Sequence, residues 1–294
     1  MNRIPKIAVI RELRNEVGFG CPVKDCANPY LEWHHFDPPW RIENHHNPEG
    51  MIALCTNHHK KADGGAYTND QLQNLKKNTA NAEKVKGQFD WLRNELIAVV
   101  GNIFYHKVNN IIEIDGKNVI WFNRDEDGYL RLNVRMLSIE PEERAVIDDN
   151  IWMNIGSPKD LHSPPQGKEL KIDYENGDHL FVKFIVLETA EQAFNKYDNK
   201  DLLDIDLIHY PITVVEINYK IGGTGIEFRS KSTNISNLTI GSGFISNCHV
   251  GVSINPELIF RQNPSLLPYK PSSRVKACPC GSGYRYKQCH GLIK

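Results

Sequence analysis

The sequence predicts an α+β protein in three parts: a histidine- and cysteine-rich head mixing short strands with helices, a β-rich middle region, and a short C-terminal metal knuckle. Three observations carry this. Six of the twelve histidines and three of the seven cysteines fall before residue 98 and are followed by a polar helical segment. From there to about residue 265, apolar and polar residues alternate between turn signals, the pattern of half-buried strands. Finally, Cys278 to His290 packs three cysteines and a histidine into thirteen residues.

A chain of 294 residues that is 40% hydrophobic can bury a substantial core. Lys and Arg total 35 against 36 Asp and Glu, with a sequence pI near 6.9. That balance excludes a protein coated in positive field, so any basic surface for nucleic acid must be local. The apolar run Ile7 to Ile10 is cut short by Arg11, Glu12 and Arg14. No stretch nears the roughly 20 apolar residues of a membrane span, so a cytoplasmic protein with no membrane partner is expected. In a reducing compartment, close Cys/His spacings point to metal rather than disulfides. Six of the seven cysteines lie in two such clusters, and Cys248 reads as a small buried residue of a strand.

The head is expected over 1–98 with its core at 18–82, the middle domain over 99–265, and a linker and knuckle over 266–294. In the head, Thr68-x-x-Gln71 is a capping-box start, with Leu72, Leu75 and Val85 following among Lys and Asn. Leu96 to Val100 reads as a helix end or a strand. In the middle, Asn118 to Phe122 and Tyr129 to Val134 flank the turn-prone Asp125-Glu-Asp-Gly128. Leu170 to Tyr174 and His179 to Phe184 alternate around Asn176-Gly177, a hairpin signal, and Ile212 to Tyr219 is a further strand. Ile-Ser-Asn recurs at 235 and 245, too briefly for a repeat, and Thr189-x-x-Gln192 starts a short helix. Pro264, Pro268 and Pro271 mark the linker. The middle region carries no catalytic constellation.

Chemistry concentrates in the head. Cys21 and Cys26, then Cys55-Thr-Asn-His58, give two thiolates from one knuckle and a Cys-x-x-His from another, the donors of a tetrahedral structural zinc. Four strong ligands leave no open position, so such an ion holds the fold and does no chemistry. A second set remains. His34 and His35 are adjacent, and on a strand neighbouring side chains point to opposite faces. One can bind metal while the other stays free as a base. His59 and Asp63 are four apart at the start of a predicted helix and project from one face. With His34 they make a mixed nitrogen and oxygen site with open positions for water and phosphate. His45 and His46 are expected in a solvated loop, and Arg41, Lys60, Lys61, Lys76 and Lys77 are candidates for the local basic surface that meets phosphate.

The run Cys21 to Gly65 resembles the zinc-containing branch of the HNH (ββα-metal) nucleases. The matching residues are Glu-Trp-His34-His35-Phe, then Gly50-Met-Ile-Ala-Leu-Cys55, then His58-His59-Lys-Lys-Ala-Asp63. The resemblance implies a ββα-metal head in which His34, His59 and Asp63 hold one Mg2+ or Mn2+. It makes His35 the general base on the attacking water. It also implies a phosphodiester-cleaving endonuclease, with DNA ahead of RNA as substrate. One position departs from the family pattern. Its middle asparagine, which braces the loop and orients the base, falls here on Gly50 or Glu49; Asn47 is the nearest candidate brace and Asn44 the next.

At the other end, Cys278-Pro-Cys280-Gly-Ser-Gly-Tyr-Arg-Tyr-Lys-Gln-Cys289-His290 supplies four zinc donors in a segment too short to fold on a core of its own. It is similar to the SEC-C motif, which implies recognition of a protein partner or of nucleic acid rather than catalysis; Arg285 and Lys287 add positive charge. The rival to the enzyme reading is a non-cleaving, zinc-stabilised nucleic-acid- or protein-binding module, favoured by Gly50 and disfavoured by the complete His34, His35, His59 and Asp63 set.

Overall fold

A computed structural model of the chain describes residues 2–77, 79, 85–197, 208–235, 238–255, 267 and 269–291. The protein is a mixed α+β, strand-rich molecule whose residues divide into two compact units. One comprises residues 1–90 with 144–175, the other residues 91–143 with 176–294.

The first unit opens with helix α1 (Ile7–Glu16), which buries Leu13. Strand β1 (Leu31–His35) and strand β2 (Met51–Cys55) then form a two-stranded antiparallel ribbon in which His34 faces Ile52 and His35 faces Met51. Helix α2 (Thr56–Asp63) begins at once after β2, and helix α3 (Asn69–Lys76) follows. Every residue of β2 is buried, and α1 and α2 both pack against it, which is why Met-Ile-Ala-Leu-Cys carries no polar alternation. The core so formed joins Leu13, Val17, Cys21, Leu31, Phe36, the whole of β2, Ala62 and Leu72. Each large apolar side chain buried there contributes roughly 1.5–3 kcal/mol. The capping box of α3 forms as the sequence predicts: Gln71 N donates to Thr68 Oγ1 at 3.2 Å, and Thr68 N donates to Gln71 Oε1 at 2.8 Å.

Gly50 has a steric cause. A Cβ there would lie 1.8 Å from the Asp37 carbonyl oxygen, because the chain after β1 folds back onto the start of β2. Phe36 N and Asp37 N both donate to the Gly50 carbonyl, at 3.0 and 3.2 Å. No residue with a side chain fits this crossing without the loop moving. The unit is completed by the antiparallel strands Lys86–Gln88, Ile151–Met153 and Val146–Asp148, and by Asp160–His162 paired with Glu169–Asp173. Arg14 of α1 holds Asp160 in a buried bidentate pair at 2.6 and 2.8 Å.

In the second unit, Ile212–Ile221 pairs antiparallel with His179–Leu187 and Ile226–Arg229, and parallel with Ile97–Val100. Of Leu96 to Val100, Ile97–Val100 is thus strand and none is helix. Asn110–Ile114, Lys117–Arg124 and Leu130–Arg135 form an antiparallel meander edged by Val250–Ile254. The Asp125 to Gly128 turn forms, with Gly128 N donating to the Asp125 carbonyl at 3.0 Å. Strands also flank Asn176-Gly177, and Gly177 takes φ 88°. Helix Ala190–Tyr197 begins where expected, Gln192 N donating to Thr189 Oγ1 at 3.2 Å. Cys248 corrects its sequence reading. It sits half-buried in the turn between Gly243–Ser246 and Val250–Ile254, its thiol 3.2 Å from the Val250 carbonyl. Ser236 and Asn237 of the first Ile-Ser-Asn, and Pro264 and Pro268 of the expected linker, lie outside the described residues. Among the described residues no helix is long and apolar enough to cross a membrane.

Candidate metal centre

Among the described residues three groups of side chains stand close enough to share an ion: Cys21, Cys26, Cys55 and His58; Cys278, Cys280, Cys289 and His290; and His34, His59 and Asp63, with ligand atoms in each group within 4.8 Å of one another.

In the first group, Cys26 Sγ lies 3.8 Å from Cys55 Sγ, and His58 Nδ1 lies 3.2 Å from Cys55 Sγ and 3.4 Å from Cys21 Sγ. A tetrahedron with zinc–sulfur bonds near 2.3 Å and zinc–nitrogen near 2.0 Å has edges of roughly 3.3–3.8 Å, so these spacings fit zinc. Three elements place the donors: the knuckle before β1, the last residue of β2, and the first turn of α2. The thiols already share charge unequally. The hydrogen bond from Cys21 drives Cys55 down to about 4 against its burial, while the same bond and burial drive Cys21 up. The C-terminal group is similar but tighter: Cys280 Sγ to Cys289 Sγ is 3.6 Å, and His290 Nδ1 is 3.1 Å from both Cys278 and Cys289. Burial raises Cys278 to about 11. At Cys280 burial opposes ionisation but is outweighed by the Ser282 hydroxyl and backbone, and the thiol is lowered. Both clusters could hold structural zinc.

The third group is of another kind. β1 presents His34 and α2 presents His59 and Asp63, one helical turn apart on a single face. His34 Nδ1 lies 3.1 Å from Asp63 Oδ1, His59 Nε2 lies 3.9 Å from Asp63 Oδ2, and the two imidazoles meet edge to face at 5.4 Å. Burial, then the neighbouring His59, holds His34 below the usual histidine range, in the neutral form that binds metal. Asp63 stays half exposed, leaving the cluster open on one side.

His35 turns away from this cluster. Its ring packs against Trp40, His45 and His46 at 4.7, 5.3 and 5.9 Å. It is only 5% exposed, and neither ring nitrogen has a hydrogen-bond partner among the described residues. Burial, with His45 and His46 next, depresses it to about 4. His45 and His46 therefore differ from the solvated loop expected of them: both are half-buried, and His46 stacks on Trp40 at 5.5 Å and 16°. The cause is apolar: Trp40 folds over His35, and the two imidazoles fill the remaining gap. His45 also ties the loop. Its Nδ1 accepts from Asn47 N at 3.1 Å, so Nε2 carries the proton and donates to the Pro38 carbonyl at 2.8 Å. Asn47, the expected brace, uses its side chain locally, accepting from Glu49 N at 3.3 Å to cap the turn Pro48–Gly50. Asn44 donates to the Trp40 carbonyl at 3.0 Å.

The basic candidates divide. Lys60, Lys61 and Arg41 are exposed. On α2, Lys60 flanks the His59–Asp63 face, whereas Lys61 is turned roughly 160–200° from it. Lys76 is not available to phosphate: its ammonium is held by the Glu16 carboxylate at 3.1 Å and by the Met51 carbonyl at 2.8 Å, with Pro48 as a third partner. Sequence reasoning missed Glu32, whose Oε2 lies 2.8 Å from His59 Nδ1. Its signal was its place two residues before His34, on the same strand face.

Compared with models of known protein families, with curated proteins and with solved structures, the chain matches none.

Proposed function

We propose that the protein is a metal-dependent endonuclease of the HNH type, cutting phosphodiester bonds in DNA in preference to RNA, with a SEC-C-like zinc knuckle that recruits a partner. The observation that carries this reading is the succession of β1, β2 and α2: one strand bears His34 and His35 on opposite faces, and the helix meets His34 with His59 and Asp63 beside a closed Cys/His cluster. A purely structural fold has no need of a second, open ligand set next to a complete zinc site.

The donor set fits a divalent cation held by His34, His59 and Asp63. Such an ion supplies Lewis-acid stabilisation of the phosphate and of the leaving oxygen. The rest falls to the chain's own residues. In this reading His35 accepts the proton of the attacking water; it is neutral at pH 7, and its depression to about 4 makes it a weaker base than a free imidazole. Lys60 and Arg41 offer exposed positive charge to flanking phosphates. Two imidazoles and one carboxylate suit Mn2+ better than Mg2+, which prefers an all-oxygen shell.

A second reading, the non-cleaving binding module, is favoured by the enclosure of His35 under Trp40 and His46 and by the absence, among the described residues, of a hydrogen-bond partner on its ring nitrogens. Supercoiled plasmid incubated with Mn2+, Mg2+ or EDTA separates the two. Nicking with Mn2+ that EDTA abolishes is expected; an inert, zinc-loaded protein that still retards DNA would establish the binding module instead.

A further inference from the structure

We infer that Glu32 is a positioning residue that sets the tautomer of His59 and so completes the open ligand set; the inference rests on the nuclease reading. The carboxylate stands 2.8 Å from His59 Nδ1. An ionised carboxylate only accepts hydrogen bonds, so Nδ1 must carry the ring proton and the lone pair lies on Nε2. Nε2 is buried, has no hydrogen-bond partner among the described residues, and is the His59 nitrogen that comes 3.9 Å from Asp63. The imidazole is thereby turned with its donor nitrogen toward His34 and Asp63.

The strand makes this economical. Glu32 and His34 are two residues apart on β1 and share a face, so one strand supplies a ligand and also the carboxylate that orients a ligand of α2. Without Glu32, His59 can adopt the Nε2–H tautomer, which offers a proton where a lone pair is needed. A carboxylate behind a ligating histidine also makes the ring a stronger donor, and its loss typically weakens metal binding by roughly 10–100-fold. The other account is that Glu32 merely ties β1 to α2. A simple tie would alter melting without altering either tautomer or affinity.

The test uses the full zinc-loaded chain with Mn2+ as the probe. Titration calorimetry gives the affinity, and nitrogen NMR of histidine-labelled protein, with His59 assigned by its loss in His59→Ala, gives the tautomer. Glu32→Ala is expected to weaken Mn2+ binding roughly 10–100-fold and to shift His59 away from the Nδ1–H form, with zinc content kept. Glu32→Gln, whose amide oxygen can still accept from Nδ1–H, is expected to keep the tautomer and lie between wild type and Glu32→Ala. If Glu32→Ala loses its zinc, the comparison of Glu32→Gln with wild type decides, because it keeps the side-chain volume. Wild-type affinity and tautomer in a zinc-loaded Glu32→Ala, or wild-type affinity in Glu32→Gln where that variant decides, would overturn the role of Glu32 alone. A wild-type chain that takes up no Mn2+ would overturn the nuclease reading and this inference with it.

Discussion

His34 and His35 are chemical twins separated by one backbone unit, and the pleat of β1 gives them opposite surroundings. One faces a carboxylate and a second imidazole; the other is enclosed by an indole and two imidazoles. The proposed function makes their mutants separable. His35→Ala should lower nicking roughly 10²–10⁴-fold while leaving Mn2+ affinity unchanged. His34→Ala should lower nicking and weaken Mn2+ together, so calorimetry beside the nicking assay distinguishes a base from a ligand. Equal cutting by His35→Ala and wild type would remove His35 from the mechanism. Gly50 yields a second test at this scale. Because a Cβ would meet the Asp37 carbonyl at 1.8 Å, Gly50→Ala must push the loop off β2. It should cost about 1–3 kcal/mol, the usual range for overpacking, read as a lower thermal midpoint. An unchanged midpoint would show that the loop yields to the added Cβ without cost. The same crossing requires a glycine at position 50 sterically, and the loop beside it is tied by the imidazole of His45.

Among elements, those the sequence made legible are those whose signals are local. The capping box of α3, the start of Ala190–Tyr197 and the turn at Asp125 to Gly128 depend on residues within four positions of one another, and they form as read. The Cys/His clusters were legible because soft ligands at short spacings have few other uses. Less legible was whatever a fold brings from afar or leaves ambiguous by chemistry. Lys76 reads as a solvated helix lysine until Glu16 and the carbonyls before and at the start of β2 enclose its ammonium. Segment 144–175 gives no hint in its own residues that it belongs with the N-terminal unit, where Asp160 meets Arg14 across 146 positions. Lys76→Met should therefore destabilise the N-terminal unit by about 1–3 kcal/mol through unsatisfied buried acceptors. Denaturant melts that coincide with wild type would mean the lysine is dispensable.

At the scale of the whole molecule, both ends of the chain carry a Cys/His cluster that could hold zinc, and they differ in what stands beside it. The N-terminal cluster shares its cysteines with an apolar core, Cys21 and Cys55 lying among Leu13, Val17 and Leu54. Among the described residues the C-terminal cluster has Cys278 and Cys280 packed against Leu267, Tyr286 and Cys289, and a segment this short would need the ion to organise it. Elemental analysis of purified protein is accordingly expected to find two tightly held zinc ions per chain, one for each four-donor cluster; one or none would refute that assignment. The difference also predicts how the ends respond to loss. Cys55→Ser should remove a zinc and unfold the core around β2, whereas Cys280→Ser should remove a zinc and leave that core's melting unchanged. If the knuckle recruits a partner and takes no part in chemistry, a chain ending at Ser273 should nick naked plasmid at the wild-type rate with Mn2+. The residues proposed to cut all precede Gly64. A folded truncation that binds Mn2+ normally but no longer cuts would instead make the knuckle part of the substrate-binding surface, with Arg285 and Lys287 the first charges to neutralise.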